Sequence, residues 1–365
     1  MPSPGDGIKF IAVGDVMLGS GFPDDSGLPP NDGADILLEV TPILRRGDIT
    51  FGNLEGPLAD EGTSEKCRGK KGNCFAFRVP TRYGKYLAQA GFTVMGLANN
   101  HAMDFGAEGR SSSRRVLDAL GIAHTGEVGD IARLTVKGKK VALIAFATYP
   151  SSYNLLELDD AIATVKQAAK ESDVVIVSLH GGAEGSIHQH VTPGDEMFLG
   201  EDRGNLRLFA HAMIGAGAHL VVGSGPHVVR AMEVYCGKLI AYSLGNFATY
   251  GSFNLKGENG LSLVLEADLG PDGSFQGGRV YSVKQEKPGG PKLDADKAIL
   301  PILRDLSRAD FPFSYIEVGS DGELSASQPE NRACGLHWNY VERVFRASHC
   351  SVFQPYACQE DSLCR

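Results

Sequence analysis

Phe92-Thr93-Val94-Met95-Gly96-Leu97-Ala98-Asn99-Asn100-His101-Ala102-Met103-Asp104 is the stretch on which the fold turns. A strand-like apolar run delivers an amide, an imidazole and then a carboxylate into one turn. The same shape recurs at Phe10–Asp15, at Ile49–Glu55, at Val174–His180 and at His219–His227. Each time an apolar run ends on a residue type that can bind a metal. In open α/β sheets ligands collect where loops leave the carboxyl ends of the strands, so these five ends are expected to meet.

The surrounding pattern fits that class. From Ile8 to about Ala147 strand-like runs alternate with helical ones, as an α/β domain requires. Helices are expected over Asp35–Arg46, Thr81–Ala90, Glu108–Leu120, Asp159–Lys170 and Leu206–Ile214. A hairpin with a basic turn joins Leu134–Val136 to Val141–Phe146 and opens a second layer of sheet. After His227 the pattern becomes antiparallel, with Met232–Tyr235 against Leu239–Leu244 and Leu261–Asp268 against Gly278–Lys284. Helical residues near Asp294–Leu306 and a strand near Tyr315–Val318 follow. The organisation expected is one domain over residues 1–325 and a cysteine-containing extension over 326–365 without clear periodicity.

Composition narrows the function. With 365 residues and 42% apolar content the chain can bury a large core. Its net charge of −9, with Lys and Arg scattered, lacks the basic stripe of a nucleic-acid surface. No apolar run is long enough to cross a bilayer, so no integral membrane segment is expected. The start, Met1 to Gly7, shows no export signal, and a cytoplasmic location is the expectation if the sequence is complete. Cys67 and Cys74 flank a basic turn that could carry a disulfide or two thiols. Cys236 is expected in the core, and Cys334, Cys350, Cys358 and Cys364 crowd the end.

The candidate ligands Asp15, Glu55, Asn100, His180 and His227 mix oxygen and imidazole nitrogen without thiolate. That set suits one or two divalent ions, Mn, Zn, Fe or Mg, in a hydrolytic site. His101 would reach past the metal layer as a general acid, and Asp104 would orient its ring. Asn53, His188, His190 and Arg230 are candidates for substrate contact. His188 and His190 could equally sit on a solvated loop, and Arg230 could equally form a structural ion pair. Lys66, Arg68, Lys70 and Lys71 could recruit a polyanion or simply be solvated. Taken singly, each ligand candidate has a plain explanation as a loop acid, turn-former or hydrogen-bonded histidine. Their joint occurrence at five strand ends favours a shared site. A G-x-S-x-G elbow, a Walker A loop, an H-E-x-x-H helix and the Rossmann glycine spacing are all lacking.

Gly14-Asp15-Val16-Met17-Leu18-Gly19, Gly52-Asn53-Leu54-Glu55-Gly56-Pro57, Ala98-Asn99-Asn100-His101, Gly223–Val228 and Tyr242–Phe247 resemble the bacterial capsule-synthesis proteins of the CapA, or poly-γ-glutamate capsule, family. The resemblance runs from about Ile8 to about Asn254. That family is similar to the calcineurin-like metallophosphoesterases, which implies a four-layer α/β/β/α sandwich with a dinuclear site. By this resemblance Asp15 matches the first metal aspartate, Glu55 the bridging carboxylate and Asn100 the metal asparagine. His101 matches the acid, and His180 and His227 match the later metal histidines. Met17 and Gly225 depart from it, standing where the phosphoesterase pattern has histidines. The implied function is a metal-dependent hydrolase of a phosphoester or amide bond, serving capsule, poly-γ-glutamate or polysaccharide production at the cell envelope. The alternative is a polymer-binding or synthase-accessory protein with a degenerate site. Expected partners are an anionic extracellular polymer or its precursor and a polymer synthase complex.

Overall fold

The protein is described here from a computed structural model, which defines residues 7–67, 74–314 and 316–326. Arg68, Lys70, Lys71, the four last cysteines and all but the first residue of the 326–365 extension lie outside the described residues.

Two sheets form the middle of the molecule. In the ten-stranded sheet, Ile8–Met17 lies between Ile49–Leu54, which is parallel to it, and Leu261–Leu269, which is antiparallel. Val94–Gly96 and Ala123–Thr125 continue the parallel side, and Phe275–Lys284, Glu323–Ala326 and Ile316–Val318 continue the other. Asn246–Thr249 also pairs parallel with the end of Ile8–Met17. In the seven-stranded sheet, Lys139–Ala147, Val174–His180, Leu220–Ser224 and Lys238–Ala241 run parallel, with antiparallel strands Ala132–Val136 and Met232–Tyr235 at its edges.

The two-residue period of the strands builds the layers. Ile8, Phe10 and Ala12 point one way, into a core shared with Phe51 and Val94 and with Leu143, Ile176 and Val222 of the second sheet. Ile11, Val13 and Val16 point the other way, onto Leu44, Tyr83, Leu87 and Leu117. Helices Gly84–Ala90 and Gly106–Ala119 therefore cover the outer face of the first sheet. Leu158–Glu171 and Leu206–Ala216 pack on the second sheet and on each other. The four-layer α/β/β/α sandwich is the architecture present.

Local differences have physical causes. The helix expected over Asp35–Arg46 is reduced to Thr41–Leu44, where Pro42 lacks the N–H that would bond back to the Leu38 carbonyl. The basic hairpin turn is tighter than expected: Lys137 and Gly138, both at positive φ, make a two-residue connection. Cys236 lies in a turn at φ 53°, half-buried and disulfide-bonded, rather than in the core. Cys67 and Cys74 form a disulfide. Register then sets up the site. Asp15 pairs across from Asn53, and Asn53 from Gly96, while His180 pairs with Ser224, so the carboxyl ends of the parallel strands coincide within each sheet.

Candidate metal centre

Asp15 ends the straight part of its strand, where the ladder to both parallel neighbours is broken by a bulge. Such a bulge re-aims a side chain. Its carboxylate is wholly buried: Oδ1 accepts from the Asn53 amide at 2.9 Å, and Oδ2 lies 3.1 Å from His227 Nδ1. Asn53 in turn accepts from Asn99 at 3.0 Å and offers its Nδ2 to His180 Nδ1 at 3.2 Å. The Asn53 amide is thus consumed inside the cluster, where it holds other groups and is not presented to a substrate.

His180, at the end of its strand, lies 3.9 Å by Nδ1 from Asp15 Oδ1 and 3.9 Å by Nε2 from Glu55 Oε1. Its Nε2 also meets Asn100 Oδ1 at 3.1 Å. His227 has a left-handed backbone, φ 59°, which a histidine adopts only under constraint. The amides of Asn246 and Asn259 supply that constraint by donating to its carbonyl at 3.2 and 3.4 Å. Its Nδ1 faces Asp15 and, at 3.0 Å, Asn246 Oδ1, while Nε2 lies 3.6 Å from Glu55 Oε1.

Glu55 is the anomaly of this cluster. It is 0% exposed and neither carboxylate oxygen has a hydrogen-bond partner. Burial, and then the charge of Asp15, push its pKa well above the usual carboxylate range. Burial also works against ionised Asp15, but the hydrogen bond and charge of His227 outweigh it and hold that pKa low. His227 shows the converse: burial disfavours its charge, yet Glu55 and Asp15 raise it to about 10. Burial lowers His180 to about 3. Asp15, Glu55 and His227 each offer an atom within 4.8 Å of the others, so a divalent ion fits this donor set and would give Glu55 the partner it lacks.

Beside the cluster, His101 Nδ1 lies 2.6 Å from Asp104 Oδ2, and its ring stacks on Phe77 at 4.2 Å. Asp104 is held further by the Phe77 N–H at 2.7 Å and by Lys66 Nζ at 2.6 Å. Lys66 also donates to the Asn100 carbonyl at 2.9 Å. Burial, with the Lys66 charge, keeps the His101 pKa below its ordinary value.

Asp15, Glu55, His180 and His227 are brought into one cluster, and Asn100 joins it through His180. Three substrate candidates are placed differently. Arg230 is 0% exposed and bound to both oxygens of Glu196 at 2.8 Å, with a further bond to the Ala183 carbonyl, so it forms a buried structural ion pair out of reach of solvent. His190, its side chain 65% exposed, binds Asp310 Oδ1 at 2.6 Å, and His188 packs edge-on to Phe198. Met17 is buried among apolar side chains, with its sulfur accepting from Gly19 N–H at 3.3 Å. Lys66, expected in sequence only as a solvated or polyanion-recruiting loop residue, and Asn99, Glu184 and Asn246, outside the expected site, surround the cluster. Asn99, in the turn after Val94–Gly96, and Asn246, opening the strand Asn246–Thr249, lie in motifs that carried a signal for this in sequence.

Residues 9–250 match the family described as bacterial capsule synthesis protein PGA_cap. The chain is 30% identical over 260 residues to the PGA biosynthesis protein CapA of Bacillus subtilis, covering 66% of this chain and 63% of that protein. It is 29% identical over 261 residues to the capsule biosynthesis protein CapA of Bacillus anthracis, covering 66% and 59%. It thus spans about six-tenths of the length of these curated relatives. Among solved structures, the 5′-nucleotidase precursor of Thermus thermophilus aligns at a TM-score of 0.40 and 11% identity, over 78% of this chain and 56% of that one.

Proposed function

The chain belongs to the bacterial capsule synthesis protein family, and on that premise we propose that it is a divalent-metal-dependent hydrolase acting on a polymer of that pathway or its precursor. The observation that carries this reading is Glu55, a fully buried carboxylate with two unpartnered oxygens, set beside Asp15, His180 and His227. A purely structural core would not retain such a group, because an uncompensated buried charge costs several kcal/mol, on the order of 3–5 when a pair is broken. Asp15, Glu55, His180 and His227 would hold the cation, with Asn100 at their edge. When bound, the ion would supply Lewis acidity toward the scissile group and toward water.

The remaining steps belong to the protein. Asp104 fixes the His101 ring by holding Nδ1, which leaves Nε2 as the nitrogen that carries a proton to a leaving group. Burial and Lys66 disfavour the charged imidazole, so a proton placed on Nε2 is readily given up. Both a phosphoester and an amide need this service, and the family's capsule role makes either bond a candidate.

A second reading, an accessory protein that binds polymer without cleaving it, is favoured by Met17 and Gly225. Neither offers a ligand: Met17 is core, and a Cβ at Gly225, already at φ 111°, would lie 2.7 Å from the Gly181 carbonyl oxygen. The discriminating experiment is a phosphodiesterase and γ-glutamyl hydrolysis screen with Mn²⁺ or Zn²⁺. Turnover lost in Glu55→Gln and His101→Asn supports the hydrolase. Polymer binding with no turnover under any metal supports the accessory role.

A further inference from the structure

Four residues beyond His180, the chain places Glu184 against the same centre from a direction no strand end reaches. The loop that carries it is pinned on both sides. Ala183 N–H donates to Glu196 Oε2 at 2.9 Å and its carbonyl accepts from Arg230, while Gly185 N–H donates to the Pro226 carbonyl at 2.9 Å. Glu184 is therefore fastened to the turn that presents His227. Its two oxygens are not equivalent. Oε1 accepts from Arg203 Nη1 at 2.9 Å, from a guanidinium that is itself buried. Oε2 is turned toward His227 Nε2, 3.9 Å away.

His227 Nε2 thus faces two carboxylates, Glu55 at 3.6 Å and Glu184 at 3.9 Å. Two ligand atoms on one ion, each about 2.1 Å from it, cannot stand more than roughly 4.2 Å apart. Both separations from His227 meet that limit, although among the described residues the mutually close set is Asp15, Glu55 and His227, so Glu184 reaches the centre from the His227 side alone. Glu55 adds the independent sign that something belongs here, since it is buried and both its oxygens lack partners. Position 225 cannot contribute from the same turn, because the Gly181 backbone occupies the space of a side chain.

We propose that Glu184 is a ligand of the cation centre, oriented by Arg203 and coordinating through Oε2 on the His227 side. This assignment rests on the metal-centre reading above. It makes the Gly181–Gly185 loop part of the ion site, where the strand ends alone would leave that side open.

The test is titration of the full, EDTA-stripped chain with Mn²⁺, counting free ion by electron paramagnetic resonance, for wild type, Glu184→Gln, Glu184→Asp and Glu55→Gln. The expected result is Mn²⁺ binding by wild type, with Kd raised at least about tenfold in both Glu184 variants. The thermal unfolding midpoint in EDTA should stay unchanged, which separates ligand loss from misfolding. Wild-type affinity in Glu184→Gln, with binding lost in Glu55→Gln, would overturn the assignment and leave the centre standing. Weak binding by Glu184→Gln alone, with Glu184→Asp like wild type, would make Glu184 a remote charge and also overturn it. Wild type that binds no Mn²⁺ would remove the metal-centre reading itself, and this assignment with it.

Discussion

Glu55→Gln should stabilise the cation-free protein while abolishing its response to metal. The wild-type carboxyl is buried without a partner, and burial plus Asp15 raise its pKa well above 4.5. Between the unfolded pKa and the raised folded one, the folded protein keeps a proton there that the unfolded chain releases. Holding that proton costs about 1.36 kcal/mol for each pH unit between the unfolded pKa and the raised folded one. Above pH 4.5 the unfolded state binds fewer protons than the folded one, so stability falls as pH rises toward the folded pKa. His227, raised to about 10, acts with the same sign between pH 6.5 and about 10. A glutamine is buried like the neutral carboxyl but does not titrate, so the substitution removes this cost. The assay is thermal unfolding in EDTA at pH 5, 7 and 8.5. At pH 7 the variant should melt higher than wild type, with the gap narrowing at pH 5 and widening with pH. Added Mn²⁺ should raise the wild-type midpoint and leave the variant where it was. A variant melting at or below wild type in EDTA at pH 7 would refute the reasoning, because Glu55 would then have compensation that its surroundings do not display.

Three further substitutions probe the supports of the site. Arg230→Met should destabilise by about 3–5 kcal/mol in urea unfolding, since Glu196 is left buried and unpaired, and Arg230→Met with Glu196→Met should recover most of it. Gly225→Ala should cost on the order of 1–3 kcal/mol in the same assay, because φ 111° and the Gly181 carbonyl both oppose a Cβ. Lys66→Ala should lower kcat on whichever ester or amide the screen identifies by about tenfold, with Mn²⁺ affinity unchanged. Lys66 holds Asp104 and the Asn100 carbonyl, and Lys66→Arg should restore part of the loss.

The fold was legible where side chains alternate. Apolar runs such as Val174–His180 announced parallel strands, and the polar residues at their ends announced where a ligand would lie. The sandwich follows because both faces of Ile8–Met17 are apolar and each needs a covering layer. What stayed hidden depends on contacts between distant residues. Arg230 stays open between substrate contact and a structural ion pair in sequence because Glu196, its partner, lies 34 positions away on an irregular loop. Lys66 and Glu184 also sit on loops whose paths no periodicity describes. The Asp35–Arg46 helix was misjudged for a different reason: its apolar spacing is helical, but Pro42 overrides spacing locally. The strand Glu323–Ala326, between Ile316–Val318 and Phe275–Lys284, is short, with too few residues to show alternation.

The most direct measurement is a crystal of the stripped protein soaked in Mn²⁺ and read by anomalous scattering. A peak within coordinating distance of Asp15, Glu55, His180 and His227 is the predicted result. Full occupancy of Mn²⁺ elsewhere, or a clean map at those four side chains under saturating ion, would contradict the account.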